Sequence, residues 1–200
     1  MAKGLLLVLS GPSGVGKGTV CQHLLKMRPD LVISVSLTTR HPRPGEVDGC
    51  DYYFTTPEHF RKLIHEEAFL EWAKVHGEYY GTLKETTLEQ LERGRDVLLE
   101  IDVQGALQVR RQVPDTVMIF MVPPSWEALV ERICCRGTES EEQIRRRLAE
   151  AEKEIALYTE YDYLIVNDRL EETAGLINAV ITAEKCRVKR GAAPPCWEAN

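Results

Sequence analysis

Residues 5–19 constrain the fold of this chain more than any other stretch, and they read LLLVLSGPSGVGKGT. A short apolar run ends at Ser10, as expected of a strand buried in a parallel sheet. Gly11, four further residues, Gly16 and Lys17 then follow the pattern of a phosphate-binding loop, and a segment of helical periodicity comes next. Glycines let backbone N–H groups approach phosphate oxygens, while the helix N-terminus and the lysine add positive charge. The stretch therefore predicts a strand, a phosphate-binding loop and a helix.

The loop departs from the pattern at one position. Ser or Thr normally follows the lysine and offers a hydroxyl to Mg²⁺, whereas this chain has Gly18 there and Thr19 one residue later. Thr19 is therefore the candidate hydroxyl ligand for a magnesium ion bound with ATP. The predicted ATP-binding loop consists of Gly11, Pro12, Ser13, Gly14, Val15, Gly16, Lys17, Gly18 and Thr19.

Composition limits the classes of protein to consider. Two hundred residues suit one domain, and a net charge of −6 argues against a nucleic-acid partner. No apolar run approaches the ~20 residues of a membrane span, so we expect no membrane partner. The six cysteines form no C-x-x-C pair, which favours reduced thiols in the cytoplasm over a disulfide framework. We expect a cytoplasmic monomer or small homo-oligomer.

Apolar strands alternate with amphipathic helices along most of the chain. Strands are predicted at 5–10, 31–36, 96–102, 116–122 and 163–166, with helical periodicity in the later intervening segments. This alternation predicts an α/β fold, in which a parallel sheet carries helices on both faces. Residues 37–93 break the rhythm, because they open with a cationic, turn-rich loop and contain several tyrosines. An inserted substrate-binding lobe explains them better than core structure does.

A second phosphate site is indicated within this insertion. Arg40 and Arg43 follow a predicted strand, and Tyr52 comes shortly after them. Guanidinium forks and a phenol hydroxyl offer fixed donors to the oxygens of a phosphate monoester. The alternative for the arginines is an ordinary solvated basic turn.

A second polar cluster lies later in the insertion, where Glu71, Tyr80 and Thr82 supply a carboxylate, a phenol and a hydroxyl. The apolar neighbours Phe69 and Leu70 predict that Glu71 is partly buried, where an unpaired carboxylate would be costly. The alternative is a surface glutamate on a helix.

Two further segments carry candidate site residues. Asp102 ends a predicted strand beside the phosphate-binding loop, where such folds hold magnesium or its waters, although it could simply cap the next helix. Arg132, Arg136 and Arg147 surround a hydrophilic break between two helices. They form either an ordinary charged helical surface or a lid that brings arginines onto transferring phosphates.

Seven motifs in order resemble those of guanylate kinases, and the resemblance runs from about residue 4 to residue 188. They are SGPSGVGK, SLTTRHPRPGEVDGCDY, EWA, YYGT, EIDVQG, RGT and IVND. The resemblance implies an α/β P-loop NTPase fold with an inserted GMP-binding lobe and a short lid. It also implies transfer of a phosphoryl group from MgATP to GMP, and to dGMP.

Roles of individual residues follow from the same resemblance. The implied GMP-binding residues are Ser36, Arg40, Arg43, Tyr52, Glu71, Tyr80, Thr82, Glu100 and Asp102. The implied catalytic residues are Lys17, Arg40, Arg132, Arg136 and Arg147. Asn167 is expected near the adenine of ATP, and Thr19 and Asp102 are expected near Mg²⁺. The implied domain comprises a core (1–33, 94–135 and 160–190), a GMP-binding lobe (34–93) and a lid (136–150), with a flexible tail at 191–200.

The chemistry of guanine agrees with this residue set. Guanine presents N1–H and 2-amino donors that suit Glu71, and an O6 acceptor that suits Ser36 and Thr82. Adenine would leave those groups unpaired, at a cost of ~1–3 kcal/mol for each. Two other functions remain open: a guanylate kinase-like binding module without catalysis, and a P-loop kinase for another phosphorylated small molecule such as a ribose phosphate.

The loop lysine provides the first testable prediction. Lys17→Ala should lower kcat far more than it weakens GMP binding, because the lysine charge stabilises the transferring phosphoryl group. Steady-state kinetics and GMP titration of the variant would measure the two effects separately. A variant that keeps more than about a tenth of the wild-type kcat would contradict this role.

Overall fold

The computed structural model describes residues 3–75, 77–135 and 141–190. In chain order the elements are β1 (Leu6–Ser10), α1 (Lys17–Met27), β2 (Val32–Ile33), β3 (Leu37–Thr38), β4 (Tyr53–Phe54), α2 (Pro57–His65), β5 (Phe69–Val75), β6 (Glu78–Leu83), α3 (Lys84–Glu92), β7 (Val97–Glu100), α4 (Val103–Gln112), β8 (Val117–Val122), α5 (Trp126–Cys134), α6 (Glu141–Ile155), β9 (Tyr163–Val166) and α7 (Leu170–Lys185). Single 3₁₀ turns lie at Tyr158–Glu160 and Val188–Arg190. Among the described helices, none has the length and apolar character needed to cross a bilayer.

A parallel five-stranded sheet in the order β2-β7-β1-β8-β9 forms the core. Its central strand β1 is buried along its whole length, because it has a strand on either side and helices above and below. Leu7 and Leu9 pack with α1 and α7 on one face, while Leu6 and Val8 pack with α3 and α4 on the other. The predicted α/β fold with helices on both faces of a parallel sheet is confirmed.

A second sheet, in the order β4-β3-β6-β5, is built entirely from residues inserted between β2 and β7. It has its own small core, in which Phe60 of α2 stacks on Phe69 at 4.5 Å and on Tyr79 at 5.2 Å between ring centroids. Thr56 caps α2 by accepting a hydrogen bond from the N–H of His59. The division into core, lobe and lid at the residue bounds given above stays a prediction.

The strand predicted over 31–36 is wrong in its extent. Only Val32–Ile33 pairs with the parallel sheet, and the last backbone bond there runs from the Ser34 N–H to the Leu98 carbonyl. Leu37–Thr38 instead pairs with β4 and β6 of the second sheet. The apolar run therefore crosses from one sheet to the other, and its periodicity does not reveal this. Residues 136–140 of the predicted lid lie outside the described residues, whereas 141–150 belong to α6.

Strand β5 lies at the edge of its sheet, and side chains of α4 bond to its backbone. The Trp72 N–H donates to Gln108 Oε1 at 3.2 Å, and Gln108 Nε2 donates to the Trp72 carbonyl at 2.9 Å. One turn further along α4, Gln112 Nε2 donates to the Leu70 carbonyl at 2.7 Å. These bonds attach the second sheet to the core on both sides of residue 71.

A buried carboxylate at the start of β1 provides a test of core stability. Asp96 accepts the N–H of Leu5 at 3.0 Å and pairs with Lys185 at 2.6 Å, and 1% of its side chain is exposed. Asp96→Ala should lower the free energy of unfolding by about 3 kcal/mol, because a buried N–H and a cation lose their partner. Urea denaturation of the variant would measure the loss. Glu89→Ala, which removes an exposed pair with Arg93, is the control and should change stability by less than about 0.5 kcal/mol.

Candidate functional site

A cavity of about 640 Å³ lies where the second sheet faces the phosphate-binding loop and the carboxyl end of β7. Ten of the residues predicted for the site line it: Gly11, Ser13, Lys17, Ser36, Tyr52, Glu71, Tyr80, Glu100, Asp102 and Arg147. Further lining residues come from α6, among them Glu150, Lys153 and Glu154. The structure therefore brings segments that are far apart in the sequence to one cavity.

The phosphate-binding loop, which lines part of this cavity, contains glycines whose backbone φ angles are positive. Gly11 has φ 149° and Gly16 has φ 99°, both in the positive region that favours glycine. A Cβ at Gly11 would lie 2.1 Å from the Met121 carbonyl oxygen, so no side chain fits there. Lys17 Nζ donates to the Gly11 carbonyl at 2.6 Å and reaches the Pro12 carbonyl at 3.4 Å. The Lys17 side chain therefore folds back over its own loop.

Two predicted site residues donate hydrogen bonds to the backbone of the phosphate-binding loop. Asn167 Nδ2 donates to the Val15 carbonyl at 2.7 Å, and Arg132 Nη1 donates to the same oxygen at 3.1 Å. Arg132 Nη2 also donates to the Asn167 carbonyl at 3.0 Å. Both side chains thus position the loop backbone, while their roles near adenine and phosphate stay predictions. Neither is among the residues that line the cavity.

The predicted lid contributes a direct contact with the loop. Arg147 Nη2 of α6 donates to Ser13 Oγ at 2.8 Å, so this guanidinium lies beside Ser13 of the phosphate-binding loop. Arg136 lies outside the described residues.

Three carboxylates surround the loop lysine. Burial lowers the pKa of Lys17, whereas the negative charges of Glu100, Glu154 and Asp102 act to raise it. Sequence reasoning missed Glu154, although it lies seven residues after Arg147 and therefore on the same face of a helix. Burial also raises the pKa of Glu154, and its Oε2 is buried without a hydrogen-bond partner in the described part of the chain.

Two acidic groups near the loop are candidates to take part in binding a divalent cation, although the described residues contain no group of three or more His, Cys, Asp or Glu side chains that could hold a metal ion. A Cβ at Gly18 would lie 3.5 Å from Glu100 Oε1, so the Glu100 carboxylate faces the position where the loop pattern has a hydroxyl. Asp102 Oδ1 accepts the Gly105 N–H at 2.7 Å as the cap of α4, which leaves its other oxygen available. Such oxygens suit Mg²⁺, which keeps several waters and takes one or two carboxylates. Thr19 is exposed on α1 and lies outside the cavity lining.

Arg40 is held by a carboxylate that sequence reasoning missed. Its Nη1 and Nη2 nitrogens donate to the two oxygens of Glu46 at 2.9 and 2.8 Å, and Glu46 also accepts the Arg43 N–H at 2.7 Å. The guanidinium lies 5.3 Å from the centre of the Tyr52 ring, which in turn packs edge-on against Tyr80. The Arg43 side chain is exposed. Glu46 therefore fixes the orientation of Arg40 beside the two phenols.

Glu71 also lines the cavity and is 5% exposed. This exposure confirms the prediction that Glu71 is buried. The alternative of a surface glutamate on a helix is wrong, because Glu71 belongs to strand β5. Glu71 Oε1 accepts the hydroxyl of Thr82 at 2.7 Å. Burial is the main cause that raises the pKa of Glu71 to about 7, and the charge of Asp102 adds to it. Thr82 therefore donates its hydroxyl proton to Glu71, whereas Ser36, the other hydroxyl predicted to face the base, lines the cavity.

Comparisons with known proteins agree with this geometry. A family model described as guanylate kinase matches residues 3–184. The chain belongs to the guanylate kinase family. It is 53% identical over 188 residues to a guanylate kinase of Caldanaerobacter subterraneus subsp. tengcongensis, a match that covers 94% of this chain and 91% of the relative. It is 52% identical over 187 residues to one of Desulfitobacterium hafniense, covering 94% of each chain.

A solved structure of the guanylate kinase family extends the comparison to the fold. The crystal structure of guanylate kinase from Anaplasma phagocytophilum aligns with a TM-score of 0.78 at 37% identity, and covers 95% of this chain and 90% of that chain. The two-sheet arrangement described above therefore belongs to a known guanylate kinase fold.

The buried carboxyl of Glu71 should make stability depend on pH. Its pKa is raised to about 7 in the folded protein, so between about pH 5 and 7 the folded chain holds a proton that the unfolded chain has released. Its contribution to stability is therefore lost as the pH rises, by about 2 kcal/mol between pH 5 and 8. Glu71→Gln should remove this part of the dependence. Urea denaturation of both proteins without nucleotide would measure it, and parallel curves would contradict the assignment.

Proposed function

We propose that this chain is an ATP:GMP phosphotransferase, which converts GMP to GDP and acts on dGMP in the same way. One observation carries the proposal: a single cavity is lined both by the phosphate-binding loop and by a buried, hydroxyl-bonded carboxylate. Family membership supports the same reaction. These two features match the two substrates, a nucleoside triphosphate and a monophosphate with donor groups on its base.

The proposed base reader is Glu71. A carboxylate can accept both the N1–H and the 2-amino hydrogen of guanine, and such charge-assisted bonds are about twice as strong as neutral ones. Ser36 would donate to O6, because the Thr82 proton is already engaged with Glu71. Adenine has an acceptor at N1 and would leave a buried carboxylate oxygen unpaired.

The proposed site for the GMP phosphate consists of Arg40, Arg43, Tyr52 and Tyr80. The ion pair with Glu46 supports it, because the guanidinium of Arg40 is already oriented before any phosphate arrives. Such preorganisation lowers the entropy lost on binding. The transfer needs no general base, since a phosphate monoester with a second pKa near 6 is mostly dianionic at pH 7.

Catalysis in this proposal consists of positioning and charge neutralisation. Lys17 and Arg147 would leave their present loop contacts for the phosphates of ATP, and Arg132 and Arg136 would add charge from the lid side. The chemistry that Mg²⁺ would supply, when bound together with ATP, is neutralisation of phosphate charge. Glu100 and Asp102 are the carboxylates proposed to hold it through direct or water-mediated contacts, with Thr19 as a further predicted ligand.

The two alternatives have less support. A guanylate kinase-like binding module has no need for the loop, yet Lys17 and its flanking glycines are all present here. A kinase for a ribose phosphate has no need for a buried Glu71 bonded to Thr82. We propose the cytoplasm as the location, where the reduced cysteines are stable, and a monomer or small homo-oligomer as the active form.

A coupled assay of ADP release with GMP, dGMP, AMP, CMP, UMP and ribose 5-phosphate tests the function. We expect activity with GMP and dGMP and little with the others. Glu71→Gln should lower kcat/KM for GMP by about 2–4 kcal/mol of transition-state stabilisation, because one acceptor is lost and an amide donor faces a donor. The loss with AMP should be much smaller, so the preference for GMP narrows.

The ATP dependence of the same variant serves as the internal control. The KM for ATP should hardly change, because Glu71 belongs to strand β5 of the second sheet and not to the phosphate-binding loop. A GMP:AMP ratio equal to that of the wild type would overturn the assignment of Glu71 as base reader. Absence of ADP release with every acceptor would favour the binding module.

A further inference from the structure

The third residue of α4, Gly105, has no side chain at the point where Glu71 reaches the helix. A Cβ at Gly105 would lie 2.5 Å from Glu71 Oε2, 3.1 Å from its Cδ and 3.3 Å from its Cγ. Contacts under 3.0 Å do not persist, so one of the two groups would have to move. The backbone itself does not call for glycine here, because Gly105 is helical and its φ is not positive.

Glycine at a helical position normally carries a cost. It destabilises a helix relative to alanine, because it loses more conformational freedom on folding. Alanine would retain the N–H that Asp102 accepts, so the helix cap does not require glycine either. The space taken by the Glu71 carboxylate is the remaining reason for a glycine at this position.

Glu71 has little freedom to retreat from such a contact. Its Oε1 is fixed by the Thr82 hydroxyl at 2.7 Å. The backbone of its two neighbours is bonded to α4 itself, since Gln112 binds the Leu70 carbonyl and Gln108 exchanges two bonds with Trp72. A methyl group at residue 105 would therefore collide with the Glu71 carboxylate. Strand β5 cannot shift away to relieve this contact, because its backbone is bonded to α4.

We propose that Gly105 is a specificity-determining positioning residue, whose missing side chain lets the Glu71 carboxylate occupy the place from which it reads guanine. The inference rests on the proposed function, and it assigns a role in base selection to a residue that is not among those lining the cavity. Its effect acts through the carboxylate position. It should therefore appear in the recognition of GMP and not in the binding of ATP.

Gly105→Ala tests this directly. We expect KM for GMP to rise at least tenfold with a smaller fall in kcat, the GMP:AMP ratio of kcat/KM to narrow, and KM for ATP to stay within twofold of the wild type. Gly175→Ala is the matched control, because Gly175 is also a helical glycine and a Cβ there would meet nothing within 4 Å. That variant should keep wild-type kinetics with GMP and AMP.

A double-mutant cycle shows whether the methyl group acts through Glu71. In a Glu71→Ala background the carboxylate is gone, so adding Gly105→Ala should change the residual GMP activity by less than twofold. Equal effects in both backgrounds would overturn the proposal, because the methyl group would then act on the backbone or on the nucleotide itself. If Gly105→Ala alone fails to fold, the double variant should fold, and its failure to do so would also overturn the proposal.

The outcomes separate this inference from the proposed function. If Glu71→Gln leaves the GMP:AMP ratio unchanged, base reading by Glu71 fails and this proposal fails with it. If Glu71→Gln narrows the ratio while Gly105→Ala behaves like Gly175→Ala, base reading stands and only the role of Gly105 is overturned.

Discussion

The rest of the site depends on the way the phosphate-binding loop is held in shape from outside. One backbone oxygen, the Val15 carbonyl, accepts from both Asn167 and Arg132. The approach of Gly11 to the Met121 carbonyl fixes the start of the loop, and the fully buried strand β1 fixes its base. A loop that binds anions through its backbone has to be rigid before the anion arrives, because reorganising it would consume binding energy. Residues from β8, α5 and the end of β9 supply that rigidity.

The cations and carboxylates of the cavity are paired with one another or with polar groups of the protein. The charges of three carboxylates act on Lys17, and Lys17 Nζ donates to the Gly11 carbonyl. Arg40 is paired in the same way with Glu46. Lys17, Arg40, Arg132 and Arg147 are therefore each held by a group of the protein, which fixes their orientation. In the proposed reaction, phosphate oxygens would replace these anionic or polar partners, so charge would be redistributed rather than newly buried.

The sequence predicted much of the core and less of the site geometry. The strand and loop of residues 5–19 follow from a short apolar run and from fixed spacing, and both depend on local physics. The change of sheet after Ile33 was missed, because an apolar run of period two reads the same in either sheet. Glu46, Glu154 and Gly105 were missed for a different reason. Each acts on a side chain that folding brings close, and the importance of a glycine beside Glu71 is visible only when α4 and β5 are in contact.

The attachment of β5 to α4 has a mechanical consequence. Because Gln108 and Gln112 bind the backbone on both sides of Glu71, the residue proposed to read guanine is attached directly to helix α4 of the core. Arg40 follows β3, which lies two strands away from β5, or roughly 10 Å at the usual spacing of ~4.8 Å. A rotation of the second sheet around β5 would therefore move Arg40, the residue proposed to bind the GMP phosphate, much further than Glu71, the residue proposed to read the base. The attachment of β5 to α4 thus places a fixed position and a movable one within a single sheet.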